Sequence, residues 1–284
     1  MSKIFHGNYR FNPFSRSLLP RGAPIFRVVR NVTLRITQIA LLAALTFAPT
    51  VHAGPPYVTD DPEPPDLHDW EVIVSFLGYH DAGGWSGSAP FVDVNYGAFH
   101  NVQLHIGPSL ALSSAPRGPF QFGAGDTELG LKYRFVDETP NCPQIALYPL
   151  LEVPTGNDIH NLSSGKNLDA FVPLWIEKNF GPWTAYGGGG YWITPGSDNK
   201  NWGYVGSVLQ RRLSPHLTLG AEIFYETARV AGGTSNTVLN LGGGIDLSDT
   251  YHIIFSAGHT VQGASAFDCF FGLQITFGPK AEAK

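Results

Sequence analysis

The sequence predicts an all-β fold, a transmembrane antiparallel β-barrel of about 12 strands, and three observations predict it. The first is period-two alternation. In Gly125–Phe135, Thr127, Leu129, Leu131, Tyr133 and Phe135 fall on one side of an extended chain, while Asp126, Glu128, Lys132 and Arg134 fall on the other. The apolar side suits lipid and the charged side a lumen, with an aromatic residue near the strand end. The second is a charged fraction of only 14%, against about 25% in ordinary soluble chains. The third is the way long polar connections alternate with tight ones, as extracellular loops and periplasmic turns do in such barrels.

Residues 1–53 differ chemically from the rest. They carry Lys3, Arg10, Arg16, Arg21, Arg27, Arg30 and Arg35 and no acid, which leaves 11 cations against 23 acids, a balance of −12, for residues 54–284. An apolar run from Ile36 to Ala48 follows Arg35 and precedes Val51-His52-Ala53, small residues suited to cleavage before Gly54. This is the layout of a secretory signal peptide, and the run is shorter than the roughly 20 residues of a membrane-spanning helix. A start at Val28 or Val29 would leave residues 1–27 untranslated. After Ala53 no run reaches transmembrane-helix length, so membrane residence requires a closed barrel.

Residues 54–68 hold five prolines and four acids. Proline blocks helix and central strand, so this stretch reads as a periplasmic lead-in or a small plug. Asp60, Asp61 and Glu63 lack the spacing of a calcium loop, and no metal is expected. Strands follow over 69–80, 89–97, 102–113, 123–136, 144–155, 169–180, 183–194, 202–213, 217–228, 237–247, 252–262 and 267–277, each near the length a tilted spanning strand needs. Together they place the barrel at 69–278, ahead of a polar tail at 279–284. Loops over 81–88, 114–122, 156–168, 195–201, 229–236 and 263–266 are expected outside. Turns over 98–101, 137–143, 181–182, 214–216 and 248–251 are expected in the periplasm. Cys142 and Cys269 fall near opposite rims, so no disulfide is expected between them. The facing of 202–213 stays open, because Val205 and Leu209 oppose Tyr204 and Val208. Gly187–Gly190 marks a bend or the close approach of something bulky.

The alternation directs Asp93, Asn95, His105, Asp126, Glu128, Lys132, Arg134, Glu152, Glu177, Glu222, Glu226, Asn240 and Asp246 to the lumen. Acids outnumber bases in this set by eight to two. In a wet pore such a wall favours cations, and neutralising Glu222 would lower that preference. In a closed barrel the same groups would instead clamp one another. Trp70, Trp85, Trp175, Trp183, Trp192 and Trp202 mostly fall near strand ends, where interfacial girdles are expected.

Four stretches together, Gly54–Pro64, Gly125–Phe135, Glu152–Gly156 and Gly181–Thr184, resemble a family of bacterial outer-membrane transporters, many grouped with the meta-cleavage pathway of phenol degradation. The resemblance covers residues 54–277. It implies an outer-membrane barrel for passage of small, aromatic or hydrophobic compounds in a Gram-negative bacterium, without catalytic residues. The implied partners are outer-membrane lipids, the barrel assembly machinery and a small-molecule solute. No cofactor is implied, and the acidic mature chain argues against nucleic acid.

Three other readings compete. A closed structural barrel would carry the same pattern. A rim hydrolase could draw on His259 with Ser256 or Ser265, but no motif supplies a third group. A soluble β-sandwich would turn the same alternation inside out, with its apolar side buried.

Overall fold

The structure is a computed structural model that describes residues 56–157, 162–163, 167–197 and 199–279. The expected leader, cleavage site and polar end of the tail lie outside the described residues. Among the described residues no helix is long and apolar enough to cross a membrane.

Fifteen β segments form one antiparallel sheet: β1 (Trp70–Asp81), β2 (Gly84–Phe99), β3 (Val102–Gly107), β4 (Ser109–Ser114), β5 (Phe120–Ala124), β6 (Thr127–Val136), β7 (Gln144–Leu147), β8 (Leu150–Val153), β9 (Asp169–Phe180), β10 (Trp183–Ile193), β11 (Trp202–Ser214), β12 (Leu217–Glu226), β13 (Asn236–Asp246), β14 (Tyr251–Gln262) and β15 (Phe267–Phe277). Segments β3 with β4, β5 with β6, and β7 with β8 are single wall strands interrupted at Pro108, Gly125-Asp126 and Tyr148-Pro149, so the wall has 12 strands. β1 pairs both β2 and β15, from Trp70↔Phe277 to His80↔Phe267, and this closes the sheet. Closure removes the free edges that hydrocarbon could not satisfy.

The distribution of side chains is inverted relative to a soluble protein. Outside, Leu129, Leu131, Val172, Ile223 and Phe271 are exposed, and Leu241 reaches 64%. Inside, Asn95, Gln103, Lys132, Glu177 and Glu222 are buried. A sandwich core would bury the first set and expose the second.

Most boundaries agree with the sequence expectation, and two differences are instructive. The stretch 81–88 is not a long loop. β1 and β2 run on and connect through Ala82-Gly83, because Trp85 to Ser88 pair with β1 on one side and β4 on the other. The Gly-Ser composition disfavours a strand locally, and two-sided pairing overrides it. The facing of β11 is settled by its neighbours: Val205 is outside at 54% exposure and Tyr204 inside at 6%.

Gly187–Gly190 does not interrupt β10, which stays in register with β9 and β11 throughout. A Cβ on Gly188 would sit 2.0 Å from the Leu174 carbonyl oxygen and 2.9 Å from the Trp175 ring. The missing side chain makes room for that indole. Trp175 joins Phe171, Trp202, Tyr204 and Phe224 in a buried cluster inside the barrel, with Trp192 packed against it. The girdle expectation therefore holds for Trp70, Trp85 and Trp183, which are exposed, and is corrected for Trp175, Trp192 and Trp202. Indoles are large enough to fill half a lumen, and strand-end position alone does not distinguish the two faces.

Candidate functional site

Residues 56–65, a proline-rich stretch that sequence alone leaves as a lead-in or plug, run inside the barrel. Proline keeps the segment extended and removes donors that a lumen would have to satisfy. The donors that remain are met by the wall. The Thr59 backbone N–H donates to Glu222 Oε1 at 2.6 Å, and the Val58 N–H lies 3.3 Å from Oε2. The Thr59 hydroxyl and Tyr204 hydroxyl are 2.6 Å apart, and Asn240 Nδ2 donates to Glu222 Oε2 at 2.7 Å. Glu222 is 1% exposed and Asn240 0%. Higher up, Ser256 Oγ donates to the Pro56 carbonyl oxygen.

A second attachment is ionic. Lys132 Nζ lies 3.2 Å from Asp60 Oδ1 and 3.6 Å from Asp61 Oδ1. Arg134 reaches Glu63 at 3.9 Å while also bonding Asn101 and Gln144. The acids that carry no calcium-loop spacing thus face two cations of the wall. Tyr57 packs with Tyr186 and Val208. Burial holds the Asp61 carboxyl well above the usual carboxylate range, Lys132 pulls the other way, and Asp60, Glu177 and Glu63 add to the rise.

The remaining expected lumen residues fall on the inner face in three groups. Beside β1–β3, Asn95 Nδ2 donates to Asp93 Oδ1 at 2.8 Å, and His105 Nδ1 lies 2.9 Å from the same oxygen, with its Nε2 3.6 Å from Glu128. Near the loop end, Asp126 accepts from the Gly156 N–H at 2.9 Å and Ser163 Oγ at 2.8 Å, and Glu128 stands opposite Glu152 in register. On the far wall, Gln144 Nε2 donates to Glu177 at 2.9 Å, Arg229 and Asn236 hold Glu226, and His252 Nδ1 lies 2.8 Å from Asp246. The expected residues are therefore on one surface but in separate contact groups.

Glu71, Gln103, Gln144 and Gln274 join these groups without standing in the expected lumen set. Glu71 accepts from Gln274 at 2.5 Å and Asn95 at 3.2 Å. Strand parity alone assigns all four inward. It could not supply the occupancy of the lumen by 56–65.

Two cavities flank this segment. One of ≈ 610 Å³ lies toward the loop end, and its walls include Ser88, Ser109, Asp126, Glu152, Asp268 and Leu162. The other, of ≈ 220 Å³, lies between the segment and the β1–β3 and β6 wall, reaching Pro64 and Pro65. They share Tyr57, Val58, Leu77, Phe91, Glu128 and Phe270, which form a neck. Tyr148, Leu150, Phe171 and Trp175 of the aromatic cluster close the smaller cavity on its other side.

The hydrolase constellation does not assemble. Ser256 faces the lumen and is used by Pro56. Ser265 Oγ is 3.4 Å from His259 Nε2 on an exposed rim, and the other ring nitrogen lies 2.8 Å from the Thr260 carbonyl, so a carbonyl rather than a carboxylate orients the imidazole. Cys142 and Cys269 are free thiols.

No protein-family model matches the sequence, and no curated protein matches it. Among solved structures the chain is similar to the COG4313 outer membrane channel from Pseudomonas putida F1, at 14% identity and TM-score 0.61, over 80% of this chain and 100% of that one. It is also similar to the KdgM porin, at 12% identity and TM-score 0.50, over 72% of this chain and 99% of that one. At these identities the likeness is one of fold, and the fold is that of the outer-membrane β-barrels.

Proposed function

We propose that the protein is a passive outer-membrane channel for small molecules, exported through a cleaved leader and narrowed by its own N-terminal segment. The observation that carries this reading is the pair of cavities meeting beside residues 56–65 within a polar lumen. A barrel built only as a scaffold would gain stability by filling that space with packed side chains. Solutes would move down their gradient past the segment, and the acidic wall would favour cations. Aromatic or hydrophobic solutes, the class implied by the sequence resemblance, fit the rings at the neck. Loop 229–236 would screen the mouth.

The test is conductance of the purified protein in planar bilayers under a salt gradient. Discrete steps with a cation-selective reversal potential are expected. Folded, inserted protein that passes no current would replace the channel with a closed structural barrel.

A further inference from the structure

The neck, the wall that the two cavities share, has an unusual composition. Three aromatic rings, Tyr57, Phe91 and Phe270, and the aliphatic side chains of Val58 and Leu77 line it together with a single carboxylate, Glu128. The rings come from independent parts of the chain. Phe270 is opposite Leu77 in the β1–β15 register, Phe91 is opposite Ser75 in β1–β2, and Tyr57 belongs to the N-terminal segment. Aromatic faces present negative charge to a cation, and cages of rings with a nearby carboxylate are the general solution for substituted ammonium groups.

The surroundings carry the same sign. Above the neck stands Asp268, opposite Tyr79. Below it, the cations are already flanked: Lys132 by Asp60 and Asp61, and His105 by Asp93 and Glu128. A carboxylate solute would meet Glu128 with no free counter-charge beside it, and like charges in a site of restricted solvent repel strongly. Size also fits. The lower cavity of ≈ 220 Å³ exceeds the roughly 150 Å³ that accommodates benzene in a protein interior.

Resting on the channel reading above, we propose that the Tyr57–Phe91–Phe270–Glu128 neck selects small organic cations with an apolar body, a substituted ammonium on a single ring, and that they pass along the β1–β6 wall while residues 56–65 stay docked. The ammonium group would sit against Glu128 and the rings while its apolar part lies along Leu77.

The test uses the purified protein in planar bilayers with potassium as the current carrier and benzyltrimethylammonium, benzoate and benzyl alcohol as probes. Benzyltrimethylammonium is expected to interrupt the current reversibly, and benzoate is not. Phe270→Leu should weaken the block roughly three- to thirty-fold, and Glu128→Gln should weaken it at least as much. Both variants are first checked for the folded barrel by heat-modifiable mobility. Block by benzoate equal to or stronger than that by the cation overturns the selectivity while leaving the channel standing. Block by the cation that neither variant alters overturns the assignment to the neck. Absence of current without any probe overturns the channel reading itself, and the cation site with it.

Discussion

Glu222 grips the N-terminal segment through backbone donors, and this makes it more than one carboxylate among many. Its two oxygens take the Thr59 and Val58 N–H groups and the Asn240 amide. Hydrogen bonds to a charged acceptor contribute about 1.5–3 kcal/mol each, whereas neutral ones contribute about 1. Glu222→Gln removes the charge and points a donor at donors. The docked segment should lose a factor of roughly 10 to 150 in its equilibrium. Bilayer recordings should then show larger or more frequent open steps in this variant. Recordings identical to wild type would mean that Glu222 does not hold the segment. This shifts the consequence expected from sequence alone, where neutralising Glu222 only lowers cation preference. Parity in β12 places the carboxylate inward, but its partner lies 163 residues away in a stretch with no periodicity. The tryptophans show the complementary gap. Parity and strand-end position are both visible in sequence, yet Trp175 goes inward beside Gly188, which leaves room for its indole, and Trp192 and Trp202 pack with it in the buried cluster.

At the scale of elements, β10 and β11 use absent side chains for two different ends. Gly188 admits the Leu174 backbone, and a Cβ there would meet a carbonyl oxygen at 2.0 Å. A Cβ on Gly206 would meet Thr59 Oγ1 at 2.1 Å and the Tyr204 hydroxyl at 2.5 Å, atoms at the ends of side chains. The wall cannot yield at the first position without shifting a strand, whereas the plug can yield at the second. Gly188→Val should therefore reduce the folded, heat-modifiable barrel. Gly206→Val should keep the barrel folded but release residues 56–65 to added protease. Equal loss of folded barrel in both would show that the segment is integral to folding rather than docked on a finished wall. The extended β2 makes a related point about legibility. Most strands can be placed by alternation because lipid and lumen impose opposite chemistry on successive residues. Trp85–Ser88 escapes that reading because its glycine and serines are chosen for pairing on both edges, and local composition does not report pairing.

For the whole molecule, the decisive feature is that a long-range docking event sets the lumen. The contacts that fix residues 56–63 span 72 residues to Lys132 and 200 to Ser256, so no local pattern announces them. Their chemistry nevertheless yields a pH dependence with a definite sign. Docking buries Asp61, and that burial raises its pKa despite the opposing pull of Lys132, with Asp60, Glu177 and Glu63 reinforcing the rise. A carboxyl whose pKa is higher docked than free binds its proton more tightly in the docked state. Its contribution to docking is therefore complete below the free value of about 3.9 and is lost as pH rises through the docked value. Acidification should favour the docked, narrow state and rising pH the wider, undocked one. Asp61→Asn, which fixes the uncharged form, should hold the segment docked as pH rises and flatten the titration of the wide state. The decisive comparison is the open probability of the wide state against pH in wild type and Asp61→Asn. A wild-type curve that falls with rising pH would reverse the sign and place control with the Lys132 ion pairs. A rising curve that Asp61→Asn leaves unchanged would assign the titration to another group.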